Sequence, residues 1–203
     1  MIDVEGDAAS ASLPQLLTCL PGPVALFESE ESLLAVDLRQ LRAHLVYRRL
    51  ARDIGGRGGV AVQRLLSPVI VRRGRDEVAL CVSARGDLLE LGIDLDAFGD
   101  DAIVVRGVPA HLRNCIDDAD VTDLIERVIP WLRLRAREAG DVSAERARLQ
   151  RREVLNAIAE TRGGDPAPRL ARRWIGELLE LGDSIESVPG VRRWSATALV
   201  RPR

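Results

Sequence analysis

Lysine is absent from this sequence, so every one of the 29 basic residues is arginine, a coding bias rather than a chemical signal. Aromatic residues make up only 3% of the chain, which excludes an aromatic core. Leu, Val, Ile and Ala must fill it, with Trp131, Trp174 and Trp194 as isolated bulky anchors. Cysteine occurs three times, at Cys19, Cys81 and Cys115. An odd, widely spaced set excludes both a disulfide framework and the paired thiolates of a zinc site. Histidine occurs only as His44 and His111, with no serine or cysteine close by in sequence to form a nucleophile pair. No apolar run approaches the roughly 20 residues of a membrane span, and the first twenty residues carry acids where a signal peptide needs bases. These absences predict a soluble cytoplasmic protein with reduced thiols, no membrane contact and no cofactor.

What is present is a chain of 203 residues, 46% hydrophobic and 30% charged, enough for one domain or two small lobes. Its formal charge of -2 argues against holding nucleic acid by bulk electrostatics, although a local arginine stripe can still touch phosphate. Residues 1–20, rich in Gly, Ala, Ser, Asp and Pro, read as a linker remnant with a further segment expected upstream, and Pro21-Gly22-Pro23 marks the entry to structure. PVALFESEESLLAVDL predicts a strand hairpin turning at Ser29–Ser32. Apolar positions 38, 41, 45, 46, 50 and 54 then predict a helix, with Arg39, Arg42, Arg49 and Arg52 along another face as candidate DNA contacts.

GGRGG at 55–59 reads as a connector; without a following Gly-Lys-Ser/Thr it is no phosphate loop. VAVQRLLSPVIVRR predicts an extended segment interrupted at Ser67-Pro68, residues 76–91 a helix, and IDLDAFGDDAIVVRGVP two strands around the turn 98–101. Val121, Leu124, Ile125, Val128, Ile129 and Leu132 predict a helix capped by Asp120 and kinked at Pro130. Ser143 caps a second, Pro166 and Pro168 introduce a third, and WSATALV is a closing strand. The class is α+β.

The acidic clusters have ordinary readings. Asp94, Asp96, Asp100 and Asp101 lack a calcium loop's pattern, since Phe98 and Val105 stand at ligand positions. Asp117, Asp118, Asp120 and Asp123 sit where a helix dipole attracts acids.

The strand pair, the L-A-V-D step into a helix with Tyr47, the Q-x-L-L-x-P-V stretch at 63–69, ELGIDLDAFGDDAIVVRGVPAHLR at 90–113 and VTDLIERVIPWL together resemble the C-terminal dimerisation domain of MutL, the matchmaker of DNA mismatch repair. The resemblance covers about residues 20–200, and the 90–113 block is its most specific part. It implies a two-lobed α+β fold: a dimerisation lobe at 21–66 and 141–203, with an inserted regulatory lobe at 67–140.

Nuclease-active members of that family carry D-Q-H-A-x-x-E-x-x-x-x-E where this chain has D-L-R-Q-L-R-A-H-L-V-Y-R. Only Asp37 survives. Leu38, Arg39, Ala43 and Arg48 stand where the glutamine, histidine and two glutamates belong. The second metal element, C-P-H-G-R-P, has its counterpart in VPGVRR at 188–193, where Val188 and Gly190 replace the thiolate and imidazole donors. Metal-assisted phosphodiester cleavage needs several donors converging on divalent ions. One carboxylate among guanidiniums does not supply them, so Asp37 reads as a vestigial nuclease position and the chain as non-enzymatic.

The family's clamp-docking pattern, Gln-x-hydrophobic-Leu, is retained in Gln63, Leu65 and Leu66, which implies docking on the replicative sliding clamp. Leu33, Leu34 and Val36 are candidates for the dimer interface, and the C-terminal strand is another. The implied partners are a second copy of the chain, the clamp, a mismatch-recognition protein, a separate nicking endonuclease or helicase and, weakly, DNA. No D-x-G-x-G nucleotide motif is present, so ATP hydrolysis belongs to a separate head domain, and the chain is expected to be a fragment or a separate subunit. The alternatives are a divergent metal-dependent nicking nuclease and a stand-alone DNA-binding module.

Overall fold

The computed structural model describes residues 13–29, 32–56, 59–112, 117–137, 144–161 and 166–195. Helices and two antiparallel sheets make it a mixed α+β fold, as the sequence pattern predicts. The chain divides into two compact units, Met1–Leu41 with Ala167–Arg203, and Arg42–Pro166. The sequence-based division draws its boundaries at 66/67 and 140/141 instead. The strand Val62–Arg72 and the helices at 118–137 and 144–159 all belong to the second unit, because their apolar faces share one core.

The first unit is built on a four-stranded sheet. Strands β1 (Gln15–Cys19), β2 (Val24–Ser29), β3 (Ser32–Asp37) and β7 (Val191–Ser195) lie in the order β1-β2-β3-β7, every neighbour antiparallel. Gln15–Cys19 reads as linker in the sequence; Leu16 and Cys19 instead pair with Phe27 and Ala25. The composition of that segment conceals a strand because its own side chains alternate poorly, with Leu17 at an irregularity in the register. Cross-strand partners lie on the same face of a sheet. One face therefore carries Ala25, Phe27, Leu34 and Val36, all buried. Leu38 and Leu41 from the start of helix α1 (Leu38–Gly55), and Ala171, Ile175 and Leu178 from α6 (Ala171–Glu180), are buried in the same unit.

The second unit contains the remainder of α1 and a three-stranded sheet, ordered β4-β6-β5, of β4 (Val62–Arg72), β5 (Asp94–Ala97) and β6 (Ala102–Pro109). Central β6 is buried along almost its whole length, and β4 is an edge strand. Pro68 is tolerated within β4 because an edge strand can leave one N–H unpaired at a bulge, so the strand is continuous where the sequence predicts an interruption. The predicted helix at 76–91 is two, α2 (Arg75–Ser83) and α3 (Arg85–Glu90), broken at Ala84.

Helix α4 (Asp118–Arg137) runs on through Pro130. Its cap is Asp117 rather than Asp120. The Asp120 N–H donates to Asp117 Oδ1 at 2.8 Å, and the Asp117 N–H donates back to Asp120 Oδ2 at 3.2 Å. That reciprocal pair satisfies two orphan amides of the helix start. Helix α5 (Ala144–Ala159) adds Val154, Leu155 and Ile158 to an aliphatic core that also takes Val46 and Leu50 from α1 and Ile103, Val105 and Val108 from β6. Ser143, the expected cap of α5, lies outside the described residues, as do Cys115 and the end of the WSATALV strand.

Candidate functional site

Asp37 ends β3 and immediately precedes α1. Its Oδ1 accepts from the N–H of Arg39 at 2.8 Å and of Gln40 at 3.3 Å. The Asp37 carboxylate is thus an N-cap, satisfying amides that have no partner inside the helix. No acid lies in the first turn of α1, so this one charge offsets the positive helix end and the adjacent Arg39.

The two motifs separated by about 150 residues of chain meet here. Val36 pairs with Val191, and a Cβ placed on Gly190 would stand 3.2 Å from Asp37 Cβ and 3.2 Å from Gln40 Cγ. Gly190 has φ +82°, a left-handed conformation that suits glycine. The VPGVRR turn therefore closes directly over Asp37, with Val188 buried beneath it. Around Asp37 the first turn of α1 and the VPGVRR turn present aliphatic groups, guanidiniums, the Gln40 side chain and bare backbone. Among the described residues no three His, Cys, Asp or Glu side chains gather as a metal centre requires. The donor set beside Asp37 does not fit a divalent ion.

The arginines of α1 do not behave as one stripe. Arg39 and Arg52 are exposed, whereas Arg42 and Arg49 are half-buried. The Arg42 guanidinium donates to the Thr161 carbonyl at 3.2 Å, tying α1 to the chain beyond α5. Arg42 is a structural tether rather than a free phosphate contact. Nearby Asp120 is buried, and burial, reinforced by the Asp117 charge, raises its carboxyl above the ordinary range against the Asp117 N–H bond and Arg42. His111 Nε2 lies 2.7 Å from Asp53 Oδ2, joining the end of α1 to the turn after β6.

The Gln63–Leu66 segment lies on edge strand β4. Arg64 pairs with Gly107 and Val69 with Val105, so Leu65, Leu66, Ser67 and Pro68 face only Arg106. Such a bulge drives side chains off the sheet. Leu66 reaches a relative exposure of 108%, and Gln63 is exposed too. Leu65 is half-buried and packs against the core.

The interface candidates separate by parity. Leu34 and Val36 are 2% and 0% exposed, core residues of their own unit, so no second chain can cover them further. This corrects the expectation from sequence, in which SLLAVD offers apolar residues at both parities. Leu33 lies on the opposite face, opposite Trp194 on β7, and next to the pair Leu26–Ala35. Leu26, Leu33 and Ala35 are half-buried and Trp194 is 39% exposed. Leu26 and Ala35 carry no interface signal in the sequence; the strand register alone sets them on one face with Leu33 and with Trp194, the first residue of the C-terminal strand that the sequence also offers.

Among the described residues no helix is long and apolar enough to cross a membrane. The family model of the MutL C-terminal dimerisation domain matches residues 17–160. The DNA mismatch repair protein MutL of Paramagnetospirillum magneticum is 36% identical over 104 residues, covering 51% of this chain and 17% of that protein. That of Rhodospirillum rubrum is 32% identical over 141 residues, 64% of this chain and 22% of the relative. That of Phenylobacterium zucineum is 29% identical over 163 residues, 80% and 24% respectively. The chain thus spans about a fifth of the length of these relatives. With the matched region covering more than half of the chain and taking in the whole β4-β6-β5 sheet and the Gln63–Leu66 segment, the chain belongs to the MutL C-terminal dimerisation domain family.

Proposed function

We propose that this chain is a non-catalytic pairing and docking domain acting in DNA mismatch repair in the cytoplasm. Two copies join through the first unit, and each copy carries an ATPase head supplied by a longer protein or a partner subunit. Linking the heads at their far ends raises their effective concentration for each other, so ATP can close them into a ring around DNA. The observation that carries the reading is the outer face of the first sheet. Leu26, Leu33, Ala35 and Trp194 stand together there, opposite a face already filled by Phe27, Leu34 and Val36. A two-fold axis through such a patch makes it self-complementary, and a permanent interface of this kind buries on the order of 2,000 Å² or more. The dimerisation lobe in this reading is the first unit; the second is the regulatory lobe.

Gln63, Leu65 and Leu66 are proposed to dock on the replicative sliding clamp. An extruded leucine and a glutamine amide on a bulged edge strand offer what a shallow apolar pocket with a polar notch recognises. A mismatch-recognition protein and a separate nicking endonuclease or helicase complete the proposed partners. Arg39 and Arg52 are left as weak DNA contacts. Because Asp37 serves as a helix cap and its neighbours offer no donors, nicking is assigned to that separate enzyme. Sedimentation of the purified chain across concentration tests the pairing. A dimer at micromolar concentration that dissociates on Leu33→Arg supports it; a persistent monomer refutes it.

A further inference from the structure

The clamp-docking segment is bulged, and a bulge on an edge strand is only as well placed as the pairing that precedes it. Ahead of Leu65 the strand is pinned unusually closely to β6. The Ala110 N–H donates to the Ala61 carbonyl at 2.8 Å, and Val62, Gln63 and Arg64 pair with Pro109, Val108 and Gly107. The close approach is possible because Gly107 has no side chain. A Cβ built there would lie 2.5 Å from Val62 Cγ1 and 3.2 Å from the Gln63 carbonyl oxygen. Real Cβ atoms do not approach a carbon so closely, so the Val62 side chain occupies the volume that any other residue at 107 would fill. The backbone at Gly107 is not in the left-handed region, which means that glycine is required there for space and not for conformation.

Resting on the docking reading above, we propose that Gly107 is the positioning residue of the Gln63–Leu66 segment. Its missing side chain lets Val62 close onto β6, and this anchors the strand just before Leu65–Pro68 turns outward. With the anchor in place, Leu66 is held off the sheet in one arrangement, and docking does not have to order the segment first. With a Cβ at 107, Val62 must lift. Pairing of residues 62–64 then loosens, and the bulge loses its fixed end while the β4 pairing at 69–72 and the core beneath it stay in place.

The test is titration calorimetry of the full chain against the cognate sliding clamp, with Gly107→Ala, Val62→Ala, the double variant and Leu66→Ala. Gly107→Ala should weaken binding about tenfold, the loss expected when a preorganised segment must be ordered on docking. Hydrogen exchange at the Leu65 and Leu66 amides should quicken in the same variant. Val62→Ala removes the γ-carbon that the new methyl at position 107 would strike and leaves only the 3.2 Å contact with the Gln63 carbonyl oxygen, so the double variant should recover most of the wild-type affinity and slow exchange. A merely structural role for Gly107 would lower the melting temperature while leaving clamp affinity and the exchange of the Leu65 and Leu66 amides unchanged. If Leu66→Ala weakens binding but Gly107→Ala does not, or if Val62→Ala fails to restore the Gly107→Ala variant, the positioning role is overturned. If Leu66→Ala has no effect, the docking reading itself falls, and this inference with it.

Discussion

Replacing Asp37 separates a structural carboxylate from a catalytic one. Its Oδ1 accepts two backbone N–H groups at the start of α1, at 2.8 Å and 3.3 Å, and the first turn itself carries no acid. Asp37→Ala removes the acceptor and leaves the amides of Arg39 and Gln40 to water. Loss of an N-cap of this kind costs about 1 kcal/mol, within a range of roughly 0.5–2. For a chain of this size each kcal/mol lowers the melting temperature by roughly 2–4 °C, so Asp37→Ala should melt about 2–4 °C below wild type. Asp37→Asn keeps the side-chain oxygen and ranks with aspartate as a cap, so its melting temperature should stay within about 1 °C of wild type. The assays are thermal unfolding of the three proteins and nicking of supercoiled plasmid with manganese. The reasoning is refuted if Asp37→Ala is as stable as wild type. It is refuted equally if wild type nicks DNA and Asp37→Asn, stable but unable to bind an ion as an anion, does not.

Three other outcomes follow from the geometry. Leu34→Ala should destabilise the protein by about 2–5 kcal/mol, the cost of truncating a buried leucine, and denaturant unfolding should show it even in the monomeric Leu33→Arg background. Asp120 has its carboxyl raised above the ordinary value of 3.8, so its neutral form is favoured in the fold; its contribution is full below that pH and is lost as pH rises through the folded value. Asp120→Asn should therefore gain stability over wild type at pH 7, with the gap narrowing toward pH 4, as urea titrations at the two pH values would reveal; an equal gap at both contradicts the assignment. Burial, helped by the Glu77 charge, pushes the Cys81 thiol up to about 11. It should resist maleimide at pH 7.5 in the folded protein and react once denaturant is added, as site-resolved mass spectrometry would record.

Local chemistry makes much of the fold legible. The hairpin of β2 and β3 follows from two apolar runs around a polar turn, and α4 from six apolar positions at helical spacing. The Ser67-Pro68 step misleads because proline ends a strand only where its N–H is needed by a neighbour, and at the edge of this sheet it is not. Spacing favours Asp120 over Asp117 as a cap since both precede the apolar run, and only the paired 2.8 Å and 3.2 Å bonds distinguish cap from third helical residue. Gly107 gives no signal at all: a glycine in an apolar strand says nothing of the valine two positions away across the sheet.

Residue type and spacing are enough to establish the alternation of apolar and polar positions and the family likeness, because both are written along the chain. Three-dimensional packing was needed to choose which parity of SLLAVD faces inward, to tie Arg42 to Thr161, and to stand Leu66 clear of the sheet. Those outcomes depend on partners brought from distant parts of the chain, and spacing along one strand or helix carries no information about what will pack against it.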